Sequence, residues 1–326
     1  MIGNRRLYVV LAWVTASLLS STVAAQNYPQ KPVRIIVPAA AGGAGDIFAR
    51  TMAQKLTDAL GQQVYVENRP GANGVVGMEI TAKSPPDGYT LVMGNSSFLT
   101  VNPSLYARLP YDSIKDFSPI TIGTLYGYVL VVNNAVAARS LKELVSLARA
   151  RPGQLQYGSS GQGGSNHLAG EMFARTANID IVHVPFKGSA LALADTVAGH
   201  VPMMFDTVVT TLPQLNAGRV RALAVTSTSR IPQLPDIPAM ADTFPGFDVT
   251  SWQSLLAPAG TPRAIIDRLN KESVNALKAP DVIDRLATKG GNQLVGNTPE
   301  EFAAIIKREI ALFSKVIKDA NIRIDE

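Results

Sequence analysis

Residues Ile35–Arg50 read IIVPAAAGGAGDIFAR. An apolar run suited to a buried strand meets Pro38, then a string of small residues, then an acid and an amphipathic pattern. A strand is expected over Val33–Val37, ended by Pro38. A helix is expected to open at Asp46, with Ile47, Phe48, Met52, Leu56 and Leu60 at helical spacing and Gly61 as its stop. Asp46 is expected to cap it. A helix start with so few side chains leaves backbone N–H groups open to close approach. Those groups have no partner inside the helix and sit at the positive end of its dipole, so an anion fits there. Small residues are also what tight packing of a helix on a strand requires, and both readings stand. No Gly-Lys-Ser/Thr follows, which excludes a nucleotide P-loop.

Outward from this stretch the same grammar continues. QQVYVEN is a strand, VVGMEITAKS a short helix, Pro85–Gly88 a turn and YTLVMGN a strand ending at Asn95-Ser96-Ser97. A second block follows. YVLVVNN is a strand, and the helix Ser140–Gly153 opens on Ser140 with Glu143 completing a capping box. Then come strand LQYGSS, helix NHLAGEMFARTAN, strand DIVHVPF, helix ALALADTVAGH, strand VPMMFDT, short helix TTLPQLNAG and strand VRALAVTS. Strand-forming VTSWQSLLAPAG, helices around Ile265–Lys278 and Pro299–Ala320, and a short strand QLVG close the chain. Alternating strands and helices predict right-handed crossovers and mainly parallel sheets covered on both faces. Two such blocks predict two domains, with crossings near Tyr126–Tyr128 and Phe247–Ser251 and a cleft between strand ends.

The second block carries its own bare loop, YGSSGQGGSNHLAGEMF at Tyr157–Phe173. Gly158, Gly161, Gly163 and Gly164 clear space, and Ser159, Ser160 and Ser165 add hydroxyl donors. Two matching loops in two blocks predict a ligand held at both ends, and a dicarboxylate suits that arrangement. Other strand ends add Asn95, Ser96, Phe186 as a stacking ring and Asp206 as an acceptor. Each of these is also a plausible turn former or cap, and Lys187 reads as a ligand contact or a solvated charge.

Composition narrows the class. The net charge of +5 includes Arg5 and Arg6, so the rest of the chain carries +3, too mild and dispersed for nucleic acid. Met1–Ala25 has a basic start, an apolar Leu7–Leu19 and the small-residue end Val23-Ala24-Ala25, and is expected to be a secretory signal peptide cleaved after Ala25. No cysteine is present, so stability comes from a core and not from disulfides, and no lipid is attached through a thiol. Catalytic patterns are missing. GSSGQG does not match the Gly-x-Ser-x-Gly elbow. His167, on an early helix turn, is expected to steady its loop. His183 and His200 lack metal-ligand spacing. An exported enzyme is a weaker alternative.

The stretches YPQKPVRIIVPAAAGGAGDIFAR, VENRPGANGVVG, PPDGYTL, YGSSGQGGSNHLAGEMF, VPFKG, AGHVPMMFD and GRVRALAVTS resemble the Bug (TctC-like) family of extracytoplasmic solute receptors, over essentially the whole chain after residue 25. The resemblance implies an α/β, two-lobed periplasmic binding protein of type II: lobe 1 over 26–126 plus 248–326, lobe 2 over 127–247. It implies a small carboxylate ligand, membrane permease subunits of a tripartite tricarboxylate transporter as partners, no cofactor and no catalysis. A monomer in the periplasm is expected. A receptor serving a membrane sensor kinase is the alternative. Family sites involve the first loop, here Ala39, Ala40, Gly42, Gly43 and Asp46, and the second, here Ser159, Ser160, Gly161, Gly163, Ser165 and His167. Asn95, Ser96 and Asp206 commonly line the cleft. The family often has an aromatic residue after Pro38; Ala39 here implies a roomier pocket or a bulkier ligand.

Overall fold

The computed structural model describes residues 28–319, so the expected leader lies outside the described residues. The first four strands are β1 (Val33–Val37), β2 (Val64–Asn68), β3 (Thr90–Asn95) and β4 (Phe117–Gly127). The next five are β5 (Val129–Asn133), β6 (Leu155–Ser159), β7 (Ile181–Pro185), β8 (Met203–Asp206) and β9 (Val220–Val225). β10 (Thr250–Pro258) and β11 (Gln293–Leu294) complete the set. They form two sheets, in the orders β11-β4-β10-β3-β1-β2 and β7-β6-β8-β5-β9. The helices are α1 (Ala44–Leu60), α2 (Val75–Ala82), α3 (Asn102–Leu105), α4 (Leu141–Ala150), α5 (Ser165–Ala177), α6 (Ser189–Ala198), α7 (Val208–Asn216), α8 (Arg263–Leu277) and α9 (Pro299–Asp319). A π-helical turn, Ser97–Val101, precedes α3, and short helical turns at Pro280–Thr288 follow α8.

Both sheets are mixed and not simply parallel as expected: in the first, β10 and the short edge strand β11 run against β1–β4, and in the second β5 alone is reversed. β1 pairs in parallel with β2 and β3, while β10 pairs antiparallel with both β3 and β4. In the second sheet β6 is parallel to β7 and β8, and β5 is antiparallel to β8 and β9. The reversal follows from the crossings. β4 passes directly into β5, and β9 leads back to β10, so each incoming strand enters its new sheet head-on and not through a crossover helix. Thr226 ties the two crossings together. Its hydroxyl accepts from Tyr128 N at 2.7 Å and donates to Val249 O at 2.6 Å, and its backbone exchanges bonds with the same two residues.

β4 is the strand that the sequence pattern did not give. FSPITIGTLYG contains Pro119 and Gly123, which read as breakers. The ladder absorbs both with irregularities: its register against β10 slips between Gln253 and Ser254 and again between Leu255 and Leu256, opposite Gly123 and Ile120. Gly123 has a second role, since a β-carbon there would lie 2.3 Å from the Phe48 ring.

Burial explains the two lobes. β1, with Ile35, Ile36 and Val37 fully buried, packs with Phe48, Met52 and Leu56 of α1 and with Leu255 of β10. The second core gathers Leu130, Leu144, Tyr157, Phe173 and Phe205. A smaller cluster bridges them: Leu168 of α5 is buried against Val101, Leu105 and Ile317. Helix starts differ from expectation in detail. α1 begins at Ala44 with Gly43 as the flanking residue, so Asp46 lies inside the first turn. At α4 the Ser140 hydroxyl accepts from Glu143 N, but the Glu143 carboxylate takes the N–H of Arg139, one residue before the cap.

Candidate functional site

Between the lobes lies a cavity of about 510 Å³, within the usual size of small-molecule sites. Five helix N-termini reach its wall: those of α1 (Gly43–Gly45), α2 (Gly74), α5 (Ser165, Asn166), α6 (Gly188, Ser189) and α7 (Thr207). First-turn amides lack intrahelical partners, and each dipole favours an anion by up to about 1 kcal/mol. The charged residues on the wall are Lys187, which is exposed, and Asp206, which is buried. Phe98, Met93, Tyr126, Tyr128 and Phe186 supply apolar surface. Tyr126 and Tyr128 pack edge to face, 5.6 Å between centroids, and burial raises both phenols above their ordinary value, so they stay protonated.

Of the candidates read from sequence, the structure brings Ala39, Ala40, Gly43, Asn95, Ser160, Gly161, Ser165, Phe186 and Asp206 to this wall. Gly42, Asp46, Ser96, Ser159, Gly163 and His167 stand behind it, and the reason is visible in each hydrogen bond. The Asp46 carboxylate accepts from Gly42 N at 3.0 Å, Arg50 Nε at 2.9 Å and Asn68 Nδ2 at 3.0 Å. Burial alone would push that carboxyl up, but these donors outweigh it and hold it below its ordinary value. Its charge is thereby spent on the loop, and Asn68 Nδ2 also reaches Ala39 O at 3.1 Å.

The Gly/Ser loop likewise consumes its own backbone donors. Gly161 N bonds Ser159 Oγ, Gly163 N bonds His167 Nδ1, Gly164 N bonds Gly161 O, and Ser160 N bonds Asn166 Oδ1. The expectation that these glycines lend bare amides to a ligand therefore gives way to a loop rigidified from within. His167 and His183 stack at 3.8 Å beneath it, and Ser159 Oγ lies 2.6 Å from His183 Nε2. Burial lowers His167 to about 4 and, together with the charge of His167, His183 to about 3. Both rings are neutral at pH 7. His167 Nδ1 is then free to accept from Gly163, as the expected loop-steadying role requires.

Ser165 does reach the cavity, yet its hydroxyl is shared with Ser97 Oγ at 2.7 Å and Ser96 Oγ at 3.2 Å, across the lobes. Ser96 and Ser251 hydroxyls are 2.6 Å apart. This serine cluster ties the start of α5 to lobe 1. Sequence reasoning also missed the loop Pro70–Gly74. Ala72 and Asn73 adopt left-handed φ values of 44° and 47°, a strain that ordinary residues rarely hold. Asn102, which exchanges side-chain and backbone bonds with Asn73, and the Tyr106 hydroxyl, which donates to Ala72 O, keep it in place.

A family model described as tripartite tricarboxylate transporter family receptor, TctC, matches residues 48–322. The chain belongs to this family. Among TctC relatives, a UPF0065 protein in the tcbD-tcbE intergenic region of Pseudomonas sp. is 41% identical over 97% of this chain and 94% of its own. BugT of Bordetella pertussis is 34% identical over 98% and 99%. Two solved structures share the TctC architecture seen here. An R. palustris protein with adipate has a TM-score of 0.88 and 34% identity, covering 91% of this chain and 99% of its own. MatC of Rhodopseudomonas palustris with bound malate has a TM-score of 0.85 and 31% identity, covering 89% and 100%. This chain is thus a two-lobed periplasmic-binding-protein fold of the Bug/TctC type.

Proposed function

We propose that this chain is a periplasmic receptor that closes its lobes over a small organic carboxylate and delivers it to the membrane permease subunits of a tripartite transporter. The observation that carries the reading is the convergence of five helix N-termini on one cavity with a largely apolar remainder. The dipoles favour the anionic group and the aromatic and Met side chains favour a carbon skeleton. Relatives solved with adipate and with malate support a dicarboxylate. Ala39 adds little bulk beside Pro38, which leaves room for a longer or broader ligand than a four-carbon acid. Lobe 1 comprises 26–126 and 248–326 and lobe 2 comprises 127–247, hinged at the two crossings that Thr226 joins. The receptor acts as a monomer, after removal of its leader, without cofactor or catalysis.

Thermal denaturation with a panel of mono-, di- and aromatic carboxylates and their methyl esters tests this. A ligand at about 100 times its Kd stabilises by about 2.7 kcal/mol, which is several degrees. The acids are expected to raise the melting temperature and the esters to leave it unchanged. Equal protection by an ester, or none by any acid, overturns the reading.

A further inference from the structure

We propose that Asn166 and Gln253, one from each lobe, grip the ligand through side-chain NH2 groups that the fold holds facing the cavity. Both residues line it and both are almost wholly buried, at 4% and 3% exposure. Their carbonyl ends are committed elsewhere. Asn166 Oδ1 accepts from Ser160 N at 3.2 Å, Ser160 Oγ at 2.9 Å and His167 N at 3.1 Å. Gln253 Oε1 accepts from Thr124 Oγ1 at 3.0 Å. The backbone N–H groups of Ser160 and His167, which can only donate, fix which end of the Asn166 amide is oxygen, and at Gln253 the Thr124 hydroxyl donates to the amide oxygen. The nitrogen ends, Asn166 Nδ2 and Gln253 Nε2, have no hydrogen-bond partner among the described residues.

Neither nitrogen is among the polar atoms sealed in the interior without a partner, so each opens onto the cavity that its residue lines, where an acceptor on a ligand can pair it. An NH2 group has two N–H bonds and no acceptor of its own, so it selects oxygen acceptors and disfavours ammonium or guanidinium groups. One such group on each wall calls for a ligand with acceptors at two separated positions. This rests on the carboxylate reading and sharpens it to a diacid, or an acid with a second acceptor and no cationic group beside either amide.

The test uses Asn166→Asp and Gln253→Glu. Each substitution keeps the pinned oxygen and its structural bonds and replaces only the NH2 by a second acceptor. Calorimetry is run with whichever acid of the panel raises the wild-type melting temperature most. Each variant is expected to bind roughly ten- to a hundredfold more weakly, with an unliganded melting temperature within about 2 °C of wild type. Wild-type affinity in either variant overturns the proposal. So does a loss of affinity accompanied by a lower melting temperature, because that marks a structural role. Failure of every acid to stabilise the wild-type protein instead overturns the carboxylate reading itself, before any variant is compared.

Discussion

Asp206 sets the sharpest electrostatic problem in the cavity, because it places a buried carboxyl where the helix ends favour an anion. It accepts from Thr210 Oγ1 at 2.7 Å and Thr211 Oγ1 at 3.3 Å. Burial nevertheless pushes it up to about 6, the threonine bonds only partly opposing that. The sign follows directly. Below about pH 6 the group is protonated and can donate to a ligand oxygen; above it the carboxylate repels the ligand. The dissociation constant is therefore expected to stay flat from pH 5 to 6 and to rise above that, approaching about tenfold per unit. Asp206→Asn should bind with no such slope. Identical pH profiles for the two proteins in calorimetry would remove this role. Asp206 was legible in the sequence because a strand end after an apolar run is a predictable place for a cavity residue. Asn166 and Gln253 were not. What matters is which end of the amide is tied, and Gln253 is tied by a residue 129 positions away.

At the scale of elements, the start of α1 shows how a bare loop keeps its shape. Gly43, Ala44 and Gly45 contribute no side chain that grips a neighbour, so the neighbouring Asp46 holds the loop through Gly42 N and links it to Asn68 and Arg50. Asp46→Ala leaves three donors without that acceptor, in a residue only 4% exposed. A loss on the order of 2–4 kcal/mol is expected in denaturant unfolding, with weaker carboxylate binding as the Ala39–Gly43 backbone loosens. A change under about 0.5 kcal/mol would show that the loop is held by its packing alone. β1 and the strand–loop–helix order were readable because apolar runs, small residues and Gly stops act locally. β4 was unreadable because its Pro119 and Gly123 are tolerated only through bulges against β10, a strand more than a hundred residues later. The Gly/Ser loop was read as a set of free donors. Its sequence shows the glycines but not that His167, Asn166 and Ser159 close on them.

For the whole molecule, the lips of the two lobes meet at small residues. A β-carbon built on Gly188 would lie 3.0 Å from Ala40 Cβ, and one on Gly43 would lie 3.0 Å from Ser189 Oγ. The lobes thus close where almost no side chain intervenes, while the serine cluster around Ser165 and the Leu168 contact join them nearer the crossings. On the proposed function, a ligand that bridges both walls would bind this closed arrangement better than an open one and shift the population toward it. Gly43 is extended, at φ −80° and ψ 170°, a conformation that valine accepts without strain. Gly43→Val therefore places bulk between the lips without distorting the chain. The variant is expected to show no contraction in small-angle X-ray scattering on adding an acid that contracts the wild-type protein, and a correspondingly weaker affinity. Adding Ser189→Gly removes the opposing hydroxyl and should restore both contraction and binding in part. Rescue separates a clash between lobes from simple blockage of the α1 amides, because a blocked amide stays blocked whatever stands at position 189. A doubly substituted protein that remains expanded would place the effect at the amides, and wild-type contraction in Gly43→Val alone would mean that the lips do not need to meet for the ligand to be held.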